Sequence, residues 1–565
     1  MAHDLIIRGG SVIDGTGSDA RRADVAIDGD RITRIDDLTG VEAREELDAT
    51  GLTVSPGFVD LHTHLDAQVA WDPYMTSTSW HGVTTALIGN CGLSFAPVAD
   101  GEAARLAEMM ESVEDISRDA ILGSLPWDWH TYPEYLDSLQ RMAPALNVVG
   151  LVGHAALRYA AMGDRAHDQG ATPTTDELAR MREMVAESVA GGAVGFSTSR
   201  ILLHRVPDGR MLPGTWADND ELLALADGMH DAGGGIFQVV PDYESRARNE
   251  FALFAAMAER GADVLFTVGV GNDEQSGRSA ADLWQGFVVS QSEQPGTLTG
   301  YTMTRPSGTL MGLGHVAPVM GPKWRALIDL PTMDDRLAAL GTRSTREELV
   351  EEARAKGGLW YDPRFVHSLG AGDVPEYHIE GGESVAEQAA AAGLDPVDYV
   401  IERLLETEGR ELFNVWFFHR NRAGLAPLLA HDFVYPGAGD AGAHAGQICD
   451  ADATTHYLSY WQRDRNLVTL PKAINQLTQK AAEVLGLIDR GTLAVGSYAD
   501  INVFDPAALA PEYPEYVNDF PNGKGRLCVR SRGYAATLVN GEVVTEQGGH
   551  TGNRPGRVLR EFARG

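Results

Sequence analysis

Residues 56–64 of the chain read PGFVDLHTH, the strongest local signal in the sequence. An apolar run leads directly into two histidines, His62 and His64, that stand two positions apart. Side chains alternate faces along a strand, so the two imidazoles are predicted to point to the same side. The spacing alone is a weak motif, and its place at the end of an apolar strand is what favours a function. At the C-terminal mouth of a parallel barrel, such a pair can bind one divalent metal ion.

The middle of the chain alternates apolar β-type runs with helical patterns. Together with residues 54–61, these runs lie at 83–91, 147–153, 193–197, 235–240, 263–269, 298–304 and 433–436. One intervening segment has capping-box spacing, with Thr174 and Glu177 ahead of an amphipathic stripe. About eight strands in βα order predict an α/β protein built on a TIM (β/α)8 barrel. An open doubly wound sheet is the alternative.

Both ends of the chain have a different, all-β texture. Residues 4–54 alternate in the period of a strand, and residues 499–545 repeat this pattern with a turn at Asn540-Gly541. We therefore expect one small β domain assembled from both termini and a catalytic barrel between them. The predicted boundaries are residues 1–54 and 491–565 for the composite domain and residues 55–490 for the barrel.

Residues 320–412 interrupt the strand–helix rhythm of the barrel. They are charged and helical in pattern, and Ser384 and Glu387 form another capping-box spacing. We interpret this segment as a helical insertion within the barrel domain that covers the site. A plain surface excursion is an equal alternative.

Composition limits the classes of partner. The 565 residues carry 46 Lys and Arg against 80 Asp and Glu, which gives a net charge of −34. This charge disfavours nucleic acid, which needs a basic footprint, and anionic membrane surfaces. The three cysteines form no disulfide framework, and neither a signal-peptide pattern nor a membrane-length apolar run is present. A cytoplasmic protein with a small-molecule substrate is expected, and its oligomeric state, including a homo-oligomer, stays open.

Two further strand ends contain candidate functional residues. Residues 82–92 read GVTTALIGNCG and residues 435–444 read YPGAGDAGAH. Cys91 is either a thiolate metal ligand or a small buried hydrophobe. The second stretch contains Gly-x-Gly-x-x-Gly, but Asp440 inside it would repel a pyrophosphate, and no βαβ unit surrounds it. We interpret Asp440 as a metal-facing general base, with a turn-capping Asp as the alternative.

Several motifs in order resemble the amidohydrolase superfamily: residues 57–64, residues 89–92 (GNCG) and the ending GTLAVGSYAD at 491–500. The stretches 153–158, 195–200 and 440–450 resemble its N-acyl-D-amino-acid deacylase (D-aminoacylase) branch, and the resemblance covers essentially the whole chain. It implies a TIM barrel, a small β-sandwich from both termini, and zinc at the barrel mouth. It also implies His62, His64 and Cys91 as metal ligands, with Asp440 as the catalytic carboxylate facing the metal.

The chain departs from this family at strands five and six. Standard members carry a histidine at the end of each, whereas here the stretches read GIFQVV at 235–240 and LFTVGV at 265–270. Gln238 is a poor zinc ligand, and nothing in the second stretch can coordinate a metal. The surviving metal ligands are at most His62, His64, Cys91 and Asp440, which are enough for one ion, so at most one Zn²⁺ per chain is expected.

The resemblance implies hydrolysis of a linear amide, releasing a carboxylate and an amine. The metal would polarise the amide carbonyl and acidify water, and Asp440 would move the proton. The α-carboxylate of an N-acyl amino acid needs a cation, for which Arg200 and Arg158 are candidates, assisted by His204. The alternatives are the same fold with a reduced metal site acting on a cyclic amide or another C–N or C–C bond, and a non-catalytic relative that only binds a ligand.

Overall fold

The computed structural model describes residues 2–202, 204–242, 249–270, 284–379 and 381–564. Five strands open the chain: β1 (His3–Val12), β2 (Arg21–Asp28), β3 (Arg31–Asp36), β4 (Ala43–Asp48) and β5 (Thr53–Pro56). Seven more follow at longer intervals: β6 (Phe58–Asp60), β7 (Val83–Ile88), β8 (Asn147–Gly153), β9 (Gly195–Ser199), β10 (Gly235–Val240), β11 (Ala262–Thr267) and β12 (Leu298–Thr302).

Helices separate most of the strands of this second set. They are α1 (Ala103–Glu114), α2 (Arg118–Ser124), α3 (Tyr132–Arg141), α4 (His154–Met162), α5 (Thr175–Ala190), α6 (Asn219–Asp231) and α7 (Glu250–Glu259). The capping box predicted ahead of α5 is present, because the Thr174 side chain accepts from the Glu177 N–H and the Glu177 carboxylate caps the Thr174 N–H. Short 3₁₀ segments lie at Gln68–Ala70, Thr78–His81, Gly163–His167, Pro363–Phe365 and Arg422–Gly424.

The segment that interrupts the strand–helix rhythm contains three short strands, β13 (Leu310–Met311), β14 (Val366–Ser368) and β15 (Phe413–Val415), which pair in the order β13–β15–β14. Its helices are α8 (Pro322–Ile328), α9 (Met333–Gly341), α10 (Arg343–Lys356), α11 (Val385–Ala392) and α12 (Pro396–Glu406). The Ser384–Glu387 capping box begins α11. These elements enclose their own apolar cluster around Trp324, Leu349 and Phe413.

The chain then returns to the parallel sheet through α13 (Leu425–Leu429) and β16 (Val434–Pro436), followed by α14 (Ala453–His456), α15 (Leu470–Asn475) and α16 (Ala481–Val484). Two π-helical segments, Tyr457–Asp464 and Gln476–Lys480, continue α14 and α15. Eight short strands end the chain: β17 (Ile501–Phe504), β18 (Ala510–Pro511), β19 (Glu515–Val517), β20 (Arg526–Cys528), β21 (Ser531–Arg532), β22 (Tyr534–Val539), β23 (Glu542–Glu546) and β24 (Gly549–His550).

Eight parallel strands form one sheet in the order β16–β12–β11–β10–β9–β8–β7–β6. A parallel bridge between Thr63 and Ala441 joins the segment after β6 to the segment after β16, so the two edges of the sheet lie side by side. Each of the eight strands predicted in βα order coincides with one of these strands. The arrangement is consistent with a TIM-like barrel.

The inner face of this sheet is lined by branched apolar side chains. Leu87, Val149, Val194, Ile236 and Leu265 are all at most 1% exposed and form one cluster. Filling of a barrel by such residues leaves a packed core rather than a pore, so polar groups at its centre are confined to the strand ends. The functional side chains must therefore lie at the C-terminal mouth of the strands.

The two ends of the chain meet in a nine-stranded sheet. Strand β5 pairs antiparallel with β17, with Val54 opposite Val503, and β17 pairs in turn with β22. The sheet buries Ile7, Val25 and Leu538 in a shared apolar cluster. Within the part of the chain that is described, no helix is both long and apolar enough to cross a membrane.

Candidate metal centre

His62 and His64 follow β6 at the mouth of the parallel sheet, 4% and 1% exposed respectively. The bridge at Thr63 holds the backbone between them, and the Nε2 atoms of both rings approach Asp440 Oδ1, at 3.4 Å for His62 and 3.5 Å for His64. The alternation of side chains along an extended segment therefore brings the two imidazoles to one point, as the spacing predicts.

Cys91 reaches the same point from the turn after β7. Its Sγ lies 3.4 Å from His62 Nε2, and one ligand atom each of His62, His64 and Cys91 lie within 4.8 Å of one another. The turn requires a left-handed backbone at Gly89, where a Cβ would meet the Leu151 carbonyl oxygen at 2.0 Å. Cys91 itself has φ +56°, a conformation that side-chain-bearing residues adopt rarely.

Asp440 enters from the last strand of the sheet. Its N–H donates to the His62 carbonyl at 2.9 Å, and the His64 N–H donates to the Ala441 carbonyl at 2.7 Å. These two bonds lock the segment after β16 against the segment after β6. The carboxylate is thereby held beside both imidazoles, although Asp60 at the end of β6 and Gly439 next to Asp440 are 379 positions apart in the chain.

Burial dominates the electrostatics of these four side chains. It lowers the pKa of His62 to about 3 and that of His64 well below its usual value, which keeps both rings neutral. It raises the pKa of Asp440 to about 7 and that of the Cys91 thiol well above its usual range. The cause is lost hydration of the charged forms. A bound cation lowers the pKa values of the Asp440 carboxyl and the Cys91 thiol, because both groups bind a metal in their charged forms.

Glu114, at the C-terminal end of α1, was not among the predicted site residues. Its Oε1 lies 3.5 Å from His64 Nδ1, and the side chain is almost fully buried. Burial, followed by repulsion from Asp440, raises the pKa of its carboxyl well above the usual range. One sequence signal was available: Glu114 lies on the same helix face as Leu106 and Met110. An acidic residue on such an apolar, buried face is unusual.

Tyr301, in β12, is a second residue that the sequence did not reveal. Its hydroxyl lies 2.6 Å from His62 Nδ1 and accepts a hydrogen bond from Gln238 Nε2 at 2.9 Å. No local pattern marks this contact, because Tyr301 and His62 are 239 positions apart in the chain. Gln238 occupies the strand-five position at which the resemblance leads one to expect a histidine.

Arg200 lies at the end of β9 and is 2% exposed. Its Nε donates to Glu250 Oε1 at 3.0 Å, and its Nη atoms donate to the Ala217 carbonyl and to Asn219 Oδ1 at 3.4 and 3.2 Å. The guanidinium is thus held by protein groups. A role in binding a substrate carboxylate stays a prediction, and it requires the carboxylate to join or replace these partners.

Arg158 and His204 are likewise engaged. Arg158 is buried in an ion pair with Glu221, which also accepts from His154 Nε2 at 2.9 Å. His204 Nδ1 lies 2.9 Å from Ser199 Oγ, and burial lowers the pKa of His204 to about 3. Their substrate-binding roles also stay predictions.

The donor set at this centre fits zinc. Two imidazole nitrogens, a thiol sulfur and a carboxylate oxygen converge, and these are the ligand types that zinc prefers. Within the described residues, both ring nitrogens of His64 are buried without a hydrogen-bond partner. Buried polar atoms are normally satisfied. Nδ1 faces Glu114 Oε1 and Nε2 faces Asp440 Oδ1, each at 3.5 Å, so Nε2 is the His64 nitrogen on the side of the centre that is open to a metal ion.

Known proteins that are similar to this chain share its fold. A model of the amidohydrolase family matches residues 45–545. The chain belongs to the amidohydrolase family, which confirms the resemblance predicted from its motifs. It is 31% identical over 570 residues to N-acyl-D-glutamate deacylase from Alcaligenes xylosoxydans xylosoxydans, covering 99% of this chain and 97% of that relative.

Two solved structures are similar over nearly the whole chain. One is N-acyl-D-glutamate deacylase from Bordetella bronchiseptica complexed with zinc and a phosphonate inhibitor that mimics the tetrahedral intermediate; the TM-score is 0.66 at 26% identity, covering 99% of this chain and 100% of that one. The other is D-aminoacylase, described as having a binuclear metal centre with one-metal activation and second-metal attenuation. Its TM-score is 0.65 at 24% identity, with 99% and 100% coverage, which is a likeness of fold.

Proposed function

We propose that this protein is a metal-dependent hydrolase of linear amides that acts on N-acyl-D-amino acids. The observation that carries the proposal is the convergence of His62, His64, Cys91 and Asp440 at the mouth of the parallel sheet. The full-length similarity to N-acyl-D-glutamate deacylase supports the substrate class. The products are a free carboxylate and an amino acid.

Zinc is the metal proposed for this centre, held by His62, His64 and Cys91 and faced by Asp440. A zinc ion bound there supplies Lewis acidity to an amide carbonyl and to water. We propose at most one ion per chain, because Gln238 stands where a further ligand would be needed and its amide is a poor zinc ligand. The binuclear centre described for D-aminoacylase makes this number the point to test.

Asp440 is the group that moves the proton. Its Oδ1 lies within 3.5 Å of both imidazole Nε2 atoms, so its carboxylate is aimed at the centre. As water oxygen bonds to the amide carbon, Asp440 accepts the water proton. It then donates this proton to the amide nitrogen as the C–N bond breaks, because an unprotonated amine anion is too poor a leaving group.

Metal analysis combined with a substrate panel tests the proposed function. We expect the purified protein to hold up to one zinc per chain and to release amine from N-acyl-D-amino acids faster than from their L enantiomers or from cyclic amides. Elemental analysis and an amine-release assay give the two readouts. Two tightly held metals would contradict the single-ion proposal. Turnover of cyclic amides alone would favour the alternative activity. Binding of a ligand without turnover would indicate a binding protein.

Arg200→Ala separates a substrate contact from a structural ion pair. If Arg200 binds the α-carboxylate, KM should rise far more for free N-acyl amino acids than for their amides, because only the charged ligand loses a charge-assisted contact. The substitution also leaves Glu250 buried without its cation, so the free energy of unfolding should fall by about 3–5 kcal/mol. Steady-state kinetics and denaturant titration measure the two effects.

Arg182→Ala is the stability control, because Arg182 forms an ion pair with Asp231 in which both side chains are about half exposed. Its loss should change the free energy of unfolding by at most about 1 kcal/mol. Equal KM changes for acids and amides in Arg200→Ala would show that Arg200 is structural.

We also propose the domain division predicted from the sequence. The catalytic domain is a (β/α)8 barrel over residues 55–490, with residues 320–412 as a helical insertion, and a small β-sandwich comprises residues 1–54 and 491–565. The antiparallel pairing of β5 with β17 supports a composite domain, since it joins the two ends of the chain. A cytoplasmic location and the oligomeric state stay predictions.

A further inference from the structure

Gln238 is a fully buried polar side chain in β10, between β9 and β11. Its Oε1 accepts a hydrogen bond from the Cys91 backbone N–H at 3.1 Å, and its Nε2 donates to the Tyr301 hydroxyl at 2.9 Å. A backbone N–H is only a donor, so it fixes which end of the amide faces Cys91. Both ends of Gln238 are therefore committed, each to a group that touches the candidate metal centre.

The hydrogen bond from Gln238 to Tyr301 connects Gln238 to His62. The Tyr301 hydroxyl lies 2.6 Å from His62 Nδ1, and the two rings pack with centroids 5.2 Å apart. Whichever of the two atoms carries the proton, Nδ1 is occupied by this hydrogen bond. Only Nε2 of His62 faces Cys91 Sγ and Asp440 Oδ1, each at 3.4 Å.

At the other end of Gln238, the hydrogen bond goes to Cys91, whose backbone conformation is unusual for a residue with a side chain. Cys91 has φ +56°, and its N–H points into the interior of the sheet rather than to water. In this interior the N–H needs a protein acceptor. Gln238 Oε1 provides it, and so stabilises the turn that aims Sγ at His62.

We propose that Gln238 is a positioning residue of the metal centre, which holds Cys91 through its backbone and His62 through Tyr301. This rests on the proposed metal-dependent function. Gln238 is not one of the proposed ligands, because an amide is a poor zinc ligand and its Oε1 accepts a hydrogen bond from the Cys91 N–H. Groups that orient metal ligands from behind typically contribute about 10- to 100-fold to metal affinity.

Gln238→Leu tests the proposal, because leucine keeps much of the volume and removes both hydrogen bonds. The matched control is Gln476→Leu: Gln476 is 6% exposed and its Oε1 accepts from the Tyr457 hydroxyl at 2.7 Å, so the same kind of buried Gln–Tyr bond is lost. Zinc dissociation constants come from competition with a chromophoric chelator on the full-length proteins. Thermal unfolding of the metal-free proteins measures the stability cost separately.

We expect Gln238→Leu to weaken zinc binding by about 10- to 100-fold and Gln476→Leu to leave it within about twofold. Cobalt-loaded protein should show an altered thiolate-to-metal absorption band in Gln238→Leu alone, because Cys91 is no longer aimed. Tyr301→Phe removes the hydrogen bond to His62 but leaves the Gln238–Cys91 hydrogen bond in place, and it should weaken zinc binding by a smaller factor. The combined Gln238→Leu/Tyr301→Phe variant should lose less than the product of the two factors, because Gln238 acts on His62 through Tyr301.

Unchanged zinc affinity in Gln238→Leu, or equal losses in Gln238→Leu and Gln476→Leu, would overturn the positioning role. If Gln238→Leu fails to fold, Tyr301→Phe tests the proposal instead. Zinc binding equal to wild type in Tyr301→Phe would overturn the positioning of His62 through Tyr301. Wild-type protein that binds zinc but hydrolyses no linear amide contradicts the proposed function alone. Wild-type protein that binds no zinc at all contradicts both.

Discussion

Replacing Asp440 by Asn should preserve the fold and lower amide hydrolysis by about 10²–10⁴-fold, the usual contribution of a general acid–base group. Asn keeps the shape of Asp but removes the basic oxygen and cannot accept a proton at neutral pH. The backbone bond from the residue 440 N–H to the His62 carbonyl does not involve the side chain and persists. Steady-state kinetics with an N-acyl-D-amino acid measure kcat.

Asp432→Asn is the matched control, since the Asp432 side chain is 91% exposed in a surface ion pair with Lys472 and lies only a few residues before β16. It should retain wild-type kcat. Zinc content must be measured in both variants, so that a lost proton acceptor is distinguished from a lost metal. Near-normal kcat in Asp440→Asn would remove Asp440 from the mechanism.

Substituting both His62 and His64 by Ala should empty the centre and end turnover. Only Cys91 and Asp440 would remain, two donors where zinc usually takes three from the protein at a catalytic site. Elemental analysis of the purified variant should find less than one-tenth of the wild-type zinc, and hydrolysis should fall to background.

The control is the double variant His130→Ala/His230→Ala, because both of these histidines are exposed and lie outside the centre. It should keep zinc and activity. Circular dichroism of the His62→Ala/His64→Ala variant must show a folded protein, since two buried rings are removed. Full activity without zinc would support a mechanism in which Asp440 works without a Lewis acid.

Much of the fold could be predicted because the signals are local. Apolar runs that end in glycine or polar residues placed the strands β7 to β12, and capping boxes placed the starts of α5 and α11. The pairing of β5 with β17 was anticipated only as a shared β texture at the two ends of the chain. Partner and register depend on which apolar faces meet, and composition does not specify that.

The roles of the arginines were harder to predict, because charge is read from sequence but pairing is not. Arg200 was predicted to meet a substrate carboxylate, and in the structure Glu250 holds its Nε at 3.0 Å. Glu250 begins α7, about 50 residues further along, and no spacing rule links the two. A buried arginine takes whichever carboxylate the fold brings, since an unpaired buried charge is costly.

Local sequence patterns specify which ligands are available: two histidines in strand alternation, a cysteine two positions after a glycine, an aspartate after the last strand, and no histidine at 235–240 or 265–270. These are properties of single segments, and the local backbone geometry of each segment sets the direction in which its side chains point. The residues that contact these ligands depend instead on how distant segments pack together. Glu114 beside His64, and Gln238 and Tyr301 behind Cys91 and His62, are contacts between segments far apart in the chain. Closure of the sheet at Thr63 and Ala441 brings all eight strand ends to one mouth, where low hydration makes an unpartnered buried polar group costly.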